Sequence, residues 1–141
     1  MIGILIISHG ALGDALIHAA SHVLGARPQA VEHLGVAVDD DPEAVLPRAR
    51  KLLAAVDAGD GVLVLTDIYG ATPGNIAARL LEDGRVAGVA GVNLPMLVRA
   101  LTYRSEPLAK VLEKALSGGL EGVVHMNADC CNGKHRDDHR Q

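Results

Sequence analysis

Residues 2–7 carry Ile2, Ile4, Leu5, Ile6 and Ile7 with no polar alternation. That pattern belongs to a strand buried on both faces, and hence to a parallel sheet covered by helices. The run stops at Ser8-His9-Gly10, and the period then changes to a helical one. Leu12, Leu16, Ala19, Ala20, Val23 and Leu24 mark the predicted inner side, Asp14, His18, Ser21 and His22 the outer side, and Gly25 the stop. Val31–Val38 reads as a second strand, interrupted by Glu32, His33 and Gly35 and so less buried.

Asp41-Pro42 pairs a capping acid with a proline suited to the first helical turn. The helix it opens carries Leu46, Ala49, Leu52, Leu53 and Val56 inwards to about Gly59, with a kink or an irregular first turn expected at Pro47. Gly61–Thr66 is a second fully apolar strand. Thr72-Pro73 repeats the cap-and-proline pair and predicts a helix through Leu81 to Gly84. Val86–Val92 is a fourth strand, followed by a helix from Asn93-Leu94-Pro95 to about Tyr103. Another helix opens at Ser105 or Glu106 with Pro107 and ends near Gly118-Gly119; a short fifth strand spans Gly122–Met126.

Strands alternating with helices in this order predict an α/β fold with a doubly wound parallel sheet and right-handed crossovers. Residues 1–126 form the domain, and 127–141, polar or small apart from two cysteines, are expected to be a disordered tail.

Composition narrows the chemistry. Of the aromatic residues only Tyr69 and Tyr103 occur, which leaves an aliphatic core and no stacking platform for single-stranded nucleic acid. A net charge of −4 gives no general attraction to phosphate backbones or anionic membranes. No apolar stretch approaches a membrane span and no signal peptide is visible, so a cytoplasmic location is expected. Cys130 and Cys131 are adjacent and offer no disulfide framework.

Ligands in doubly wound sheets collect beyond the carboxyl ends of the strands. An order such as 2-1-3-4 makes the first and third strands neighbours and brings His9 and Asp67 to the same edge. A carboxylate on one imidazole nitrogen fixes the tautomer and leaves the other nitrogen as a nucleophile. The helix start at Thr72-Pro73 offers free N–H groups to an anion, and Gly70 and Gly74 let the backbone come close. Nucleophile, orienting acid and anion cradle together suggest phosphoryl transfer through a phosphohistidine.

Three stretches carry a resemblance: IISHG at 6–10, LTDIYGATPGN at 65–75 and AGVNLPML at 90–97. With them the chain, over about residues 1–126, resembles the IIA component of the mannose family of the bacterial phosphoenolpyruvate-dependent sugar phosphotransferase system. The resemblance implies that His9 accepts a phosphoryl group from phospho-HPr and that Asp67 holds the imidazole. It also implies that Gly70, Ala71 and Thr72 meet the phosphate. The acceptor it implies is a IIB protein, expected to be separate because no IIB-like stretch follows residue 126 in this sequence. A regulatory role without transport is the other output of such proteins. The implied fold is a four-stranded parallel sheet of order 2-1-3-4, with the fifth, antiparallel strand exchanged in a homodimer. Any membrane permease would be a partner, and the chain itself would not be membrane-embedded. No cofactor and no metal are assigned to the site.

Two other readings share features. The phosphocarrier subunit of the dihydroxyacetone kinase system has a similar fold, but its turn carries Met-Gly-Ser where Tyr69-Gly70-Ala71-Thr72-Pro73 stands here. Tetrapyrrole metal chelatases also place Ser-His-Gly after the first strand. They need a second histidine at the active edge, and the turn at 65–75 has none. His18 and His22 have a metal-binding i, i+4 spacing but fall on the helix face assigned to solvent. Cys130, Cys131, His135 and His139 in the tail are a further set of metal-capable residues, read as part of a solvated end.

Overall fold

The computed structural model describes residues Met1–Asn127. They form β1 (Gly3–His9), α1 (Leu12–Leu24), β2 (Val31–Val36), α2 (Pro42–Val56), β3 (Val62–Thr66), α3 (Thr72–Ala78), β4 (Val86–Ala90), α4 (Leu94–Thr102) and α5 (Leu108–Glu121). The sheet is parallel throughout and ordered β2-β1-β3-β4, as expected. Among these residues no helix is long and apolar enough to cross a membrane.

The unbroken apolar runs exist because β1 and β3 have a helical layer on each side. Ile4, Ile6, Leu63 and Leu65 pack with Ile17 and Ala20 of α1, Met96 and Leu97 of α4, and Val111 and Ala115 of α5. Leu5, Ile7, Val62 and Val64 face the other way, towards Leu46 and Ala49 of α2 and Ile76 and Ala77 of α3. Each of the Ile, Leu, Val and Met side chains among them stabilises the fold by about 1.5–3 kcal/mol relative to leaving it exposed. The two central strands therefore anchor whatever follows their carboxyl ends.

Several expected boundaries shift. The face of α1 that is buried is Gly13, Ile17 and Ala20, while Leu12, Val23 and Leu24 are exposed. Glycine and alanine let this helix sit close to the sheet, so the bulkier residues beside them stay outside. Helix α2 runs continuously through Pro47, capped by Asp41, whose side chain accepts from Glu43 N–H. Helix α3 stops at Ala78, short of Gly84, because the chain tightens through Leu80 N–H to Ala77 O. It then pairs Glu82 with Val86 as an antiparallel bridge.

Helix α5 continues past Gly118-Gly119 to Glu121. These glycines do not end the helix; they admit α4. A β-carbon at Gly118 would lie 2.7 Å from Arg99 Cβ, and one at Gly119 the same distance from Met96 Cε. Residues 123–125 form neither helix nor strand, so the expected strand at Gly122–Met126 is not formed in the single chain. The tail expected over 127–141, apart from Asn127, lies outside the described residues, as do Cys130, Cys131, His135 and His139.

Candidate active site

Pairing between β1 and β3 ends at Ile7 opposite Thr66, two residues short of His9. Past that point the Asp67 side chain takes the place of a strand carbonyl. Its Oδ2 accepts the backbone N–H of His9 at 3.0 Å and lies 2.7 Å from the same residue's ring Nδ1. Its Oδ1 accepts from Ile68 N–H at 3.0 Å. Both carboxylate oxygens are thus committed, and the imidazole is held at one nitrogen with Nε2 directed away from that contact.

Burial opposes the charge on Asp67, but the bonds from His9 N–H, the His9 ring and Ile68 N–H outweigh it. The carboxyl is held below its ordinary range. The side chains differ in access: Asp67 is 10% exposed and His9 48%. An ionised acid beneath an accessible imidazole makes Nδ1 the donor and leaves the Nε2 lone pair for chemistry.

The turn carrying His9 is built from both sides. Ser8 is fully buried, and its Oγ accepts from Gly13 N–H at 2.9 Å, which ties the first turn of α1 to the strand end. Gly10 has φ +53°, a left-handed conformation, and donates to Val36 O at 3.1 Å. Its carbonyl passes over Gly35, where a β-carbon would be only 2.3 Å away. The glycine that interrupts the second strand's apolar pattern is therefore part of the His9 turn.

His9 and Asp67, both singled out from the sequence, are brought into direct contact. Gly70, Ala71 and Thr72 follow Asp67 in the same loop. Gly70 has φ +86°, and Ala71 is the N-cap residue of α3 with φ −87° and ψ 172°. The expected side-chain cap by Thr72 is not made: Thr72 is already the first helical residue, and the backbone alone turns into α3.

A group the sequence reading passed over is the apolar rim. Leu12 opens α1, Val38 follows β2, and Ile68 and Tyr69 follow β3; all four are exposed at the edge that carries His9. The available signal was two large apolar side chains in an otherwise polar turn. A cleft of about 760 Å³ opens at the opposite end of the sheet, lined by Met1, Asp60, Arg85 and Glu106 among others. His9 itself stands on an open edge, a shape suited to another protein's surface.

The model of the family described as "PTS system fructose IIA component" matches residues 3–116. Over 130 residues the chain is 32% identical to the "PTS system mannose-specific EIIAB component" of Escherichia coli (strain K12), covering 90% of this chain and 40% of that protein. Over 133 residues it is 30% identical to the "PTS system fructose-specific EIIA component" of Bacillus subtilis (strain 168), covering 94% of this chain and 88% of that one. The chain thus spans about two fifths of the Escherichia coli relative and most of the Bacillus one. The crystal structure of phosphotransferase system component EIIA from Streptococcus agalactiae superposes with a TM-score of 0.80 at 25% identity, over 91% of this chain and 99% of that chain.

Proposed function

Since this chain belongs to the EIIA-man family, the mannose/fructose IIA phosphocarrier components of the sugar phosphotransferase system, we propose that His9 Nε2 is its phosphoryl acceptor. Phospho-HPr is the donor and a IIB protein the acceptor. The observation that carries this reading is the 2.7 Å contact between Asp67 Oδ2 and His9 Nδ1, beneath a half-exposed ring.

In the forward step the bond from phosphorus to the donor breaks as the bond to Nε2 forms. The ring gains positive charge as its lone pair is spent, and the Asp67 carboxylate stabilises that charge. The proton on Nδ1 stays with the ring. The reverse displacement, by a nucleophile of the acceptor, returns His9 to its neutral form. Little else is required chemically, so rate comes from positioning and electrostatics. In this reading Gly70, Ala71 and Thr72 supply backbone N–H groups and a hydroxyl to the phosphoryl oxygens. Their place in the turn between Asp67 and α3 supports that role. The apolar rim of Leu12, Val38, Ile68 and Tyr69 receives the partner proteins and excludes water from the transferring group.

The chain acts in the cytoplasm as a homodimer. Support for the dimer is the edge position of β4 and the exposure of Val123, Val124 and Met126 just past α5. An apolar stretch of that length can add an antiparallel strand to a partner's free edge, where it buries side chains that α5 leaves in water.

The test is phosphorylation by phosphoenolpyruvate, enzyme I and HPr. One acid-labile phosphate per chain is expected on the wild type and none on His9→Gln. Undiminished labelling of that variant would overturn the assignment.

A further inference from the structure

Two histidines outside the His9 site stand in a chelating arrangement. On α1, His18 and His22 place their Nε2 atoms 3.3 Å apart, with the rings edge to face and their centroids 4.9 Å apart. Both residues are exposed, and among the described residues neither imidazole has another hydrogen-bond partner. We propose that this pair binds a divalent transition-metal ion of borderline softness, with Zn²⁺ the best match.

The spacing carries the assignment. Two imidazole nitrogens on one tetrahedral Zn²⁺, each at about 2.0–2.1 Å, lie about 3.3–3.4 Å from one another. The observed 3.3 Å is a hydrogen-bond length in the metal-free pair; it shows that the i, i+4 spacing brings both Nε2 atoms within the span of one ion with the helix as it stands, and ring rotation turns both lone pairs to one point.

In the metal-free pair one Nε2–H donates to the other Nε2. Binding moves that hydrogen to Nδ1 of the same ring, so both rings become Nδ1–H tautomers and both Nε2 lone pairs go to the metal; no redox change is involved. The location also favours a cation, because His22 lies in the last turn of α1, where the helix dipole is negative.

Among the described residues no group of three or more histidine, cysteine or acidic side chains could hold a metal. Nearby Asp14 is engaged elsewhere, 3.3 Å from His33 Nε2. Two positions on a tetrahedral ion are therefore left to water or to a group from another molecule. That makes the pair an accessible surface site, weaker than a four-ligand structural one.

The experiment titrates the full chain with Zn²⁺ by calorimetry and follows the histidine ring nitrogens by NMR. Expected is one Zn²⁺ on the α1 pair, counted by the His18 and His22 resonances moving together to the Nδ1–H pattern while His9 keeps its own. His18→Gln and His22→Gln should each weaken binding at least about tenfold. Both are exposed helix positions, so folding is checked by circular dichroism and should be unchanged. The proposal fails if the wild type takes up no Zn²⁺. It also fails if both variants bind as the wild type does, which would place the ion on other groups such as Cys130, Cys131, His135 and His139.

Discussion

Oδ2 of Asp67 meets His9 twice, accepting its backbone N–H at 3.0 Å and approaching its ring Nδ1 at 2.7 Å. One oxygen thus fixes both where the strand end lies and which tautomer the ring adopts. Asn in place of Asp67 cannot fill both places. With its oxygen in the Oδ2 position its amide nitrogen faces Ile68 N–H, donor to donor; turned over, the amide nitrogen faces the His9 backbone N–H and donates to Nδ1, which favours the Nε2–H tautomer. Either way the negative charge beneath the ring is lost, and in the second orientation the attacking nitrogen has no lone pair. Phosphorylation of Asp67→Asn should slow by a factor on the order of 10²–10⁴, as expected for a wrong-tautomer histidine. Rapid-quench labelling from phospho-HPr measures it, and a rate within a few-fold of wild type would remove Asp67 from the mechanism.

The same carboxylate predicts a pH dependence of stability. Its folded value lies below the ordinary one, so the folded state binds fewer protons than the unfolded state as pH falls. Its stabilising contribution is fully present above the unfolded carboxylate value, about 3.9, and is lost as pH drops through the depressed folded value. Urea midpoints of the wild type and Asp67→Asn should therefore differ by a constant amount from pH 7 to about pH 5 and converge below about pH 4. A difference that widened on acidification would reverse the sign and exclude this account.

What the sequence disclosed follows from which forces act locally. The apolar runs ending at Ile7 and Thr66 identified the two central strands, since only a strand covered on both faces tolerates such a pattern. His9 and Asp67 were legible because each breaks one of those runs with a polar group at its carboxyl end. The inner face of α1 was not, because periodicity weights Leu12, Val23 and Leu24 by hydrophobicity. Close packing instead rewards the small Gly13 and Ala20. Gly118-Gly119 misled for a related reason: glycine as a helix stop and glycine as a packing notch look alike until the neighbouring helix is in place. Ile68 and Tyr69 were read with their turn and not as surface, although their bulk in a polar loop already set them apart.

Gly35 links strand β2 to the turn that carries His9, and its replacement should be felt there. A β-carbon there lies 2.3 Å from Gly10 O, which is main chain and cannot swing aside. Gly35→Ala should destabilise the fold by about 1–3 kcal/mol, the usual penalty of overpacking. It should also lower the phosphorylation rate by moving the turn. Denaturant unfolding and labelling rates measured on one preparation test both effects. Loss of stability with an unchanged rate would show that the turn absorbs the displacement before it reaches the ring.

At the other end of the sheet, Arg104 offers a contrast in which stability and transfer should separate. Its buried guanidinium donates through Nε and Nη2 to Ile2 O at 2.9 and 2.8 Å, through Nη2 to Ala30 O at 2.9 Å, and through Nη1 to Gln29 O. Burial lowers its pKa from the ordinary arginine value, yet the group stays cationic, its charge met by backbone carbonyls at the starts of β1 and β2. Lysine cannot reproduce a planar fork shared among three acceptors. Each carbonyl left unsatisfied costs roughly 1–3 kcal/mol. Arg104→Lys should therefore lower stability by about 2–4 kcal/mol, allowing for water reaching some of the acceptors. Ile2 lies at the start of β1 and His9 at its end, so the folded fraction of the variant should accept phosphate at the wild-type rate. Labelling at a temperature well below its unfolding transition checks this. A slowed rate in the folded variant would mean that the length of β1 transmits strain to His9, and a wild-type unfolding midpoint would mean that the carbonyls find other partners.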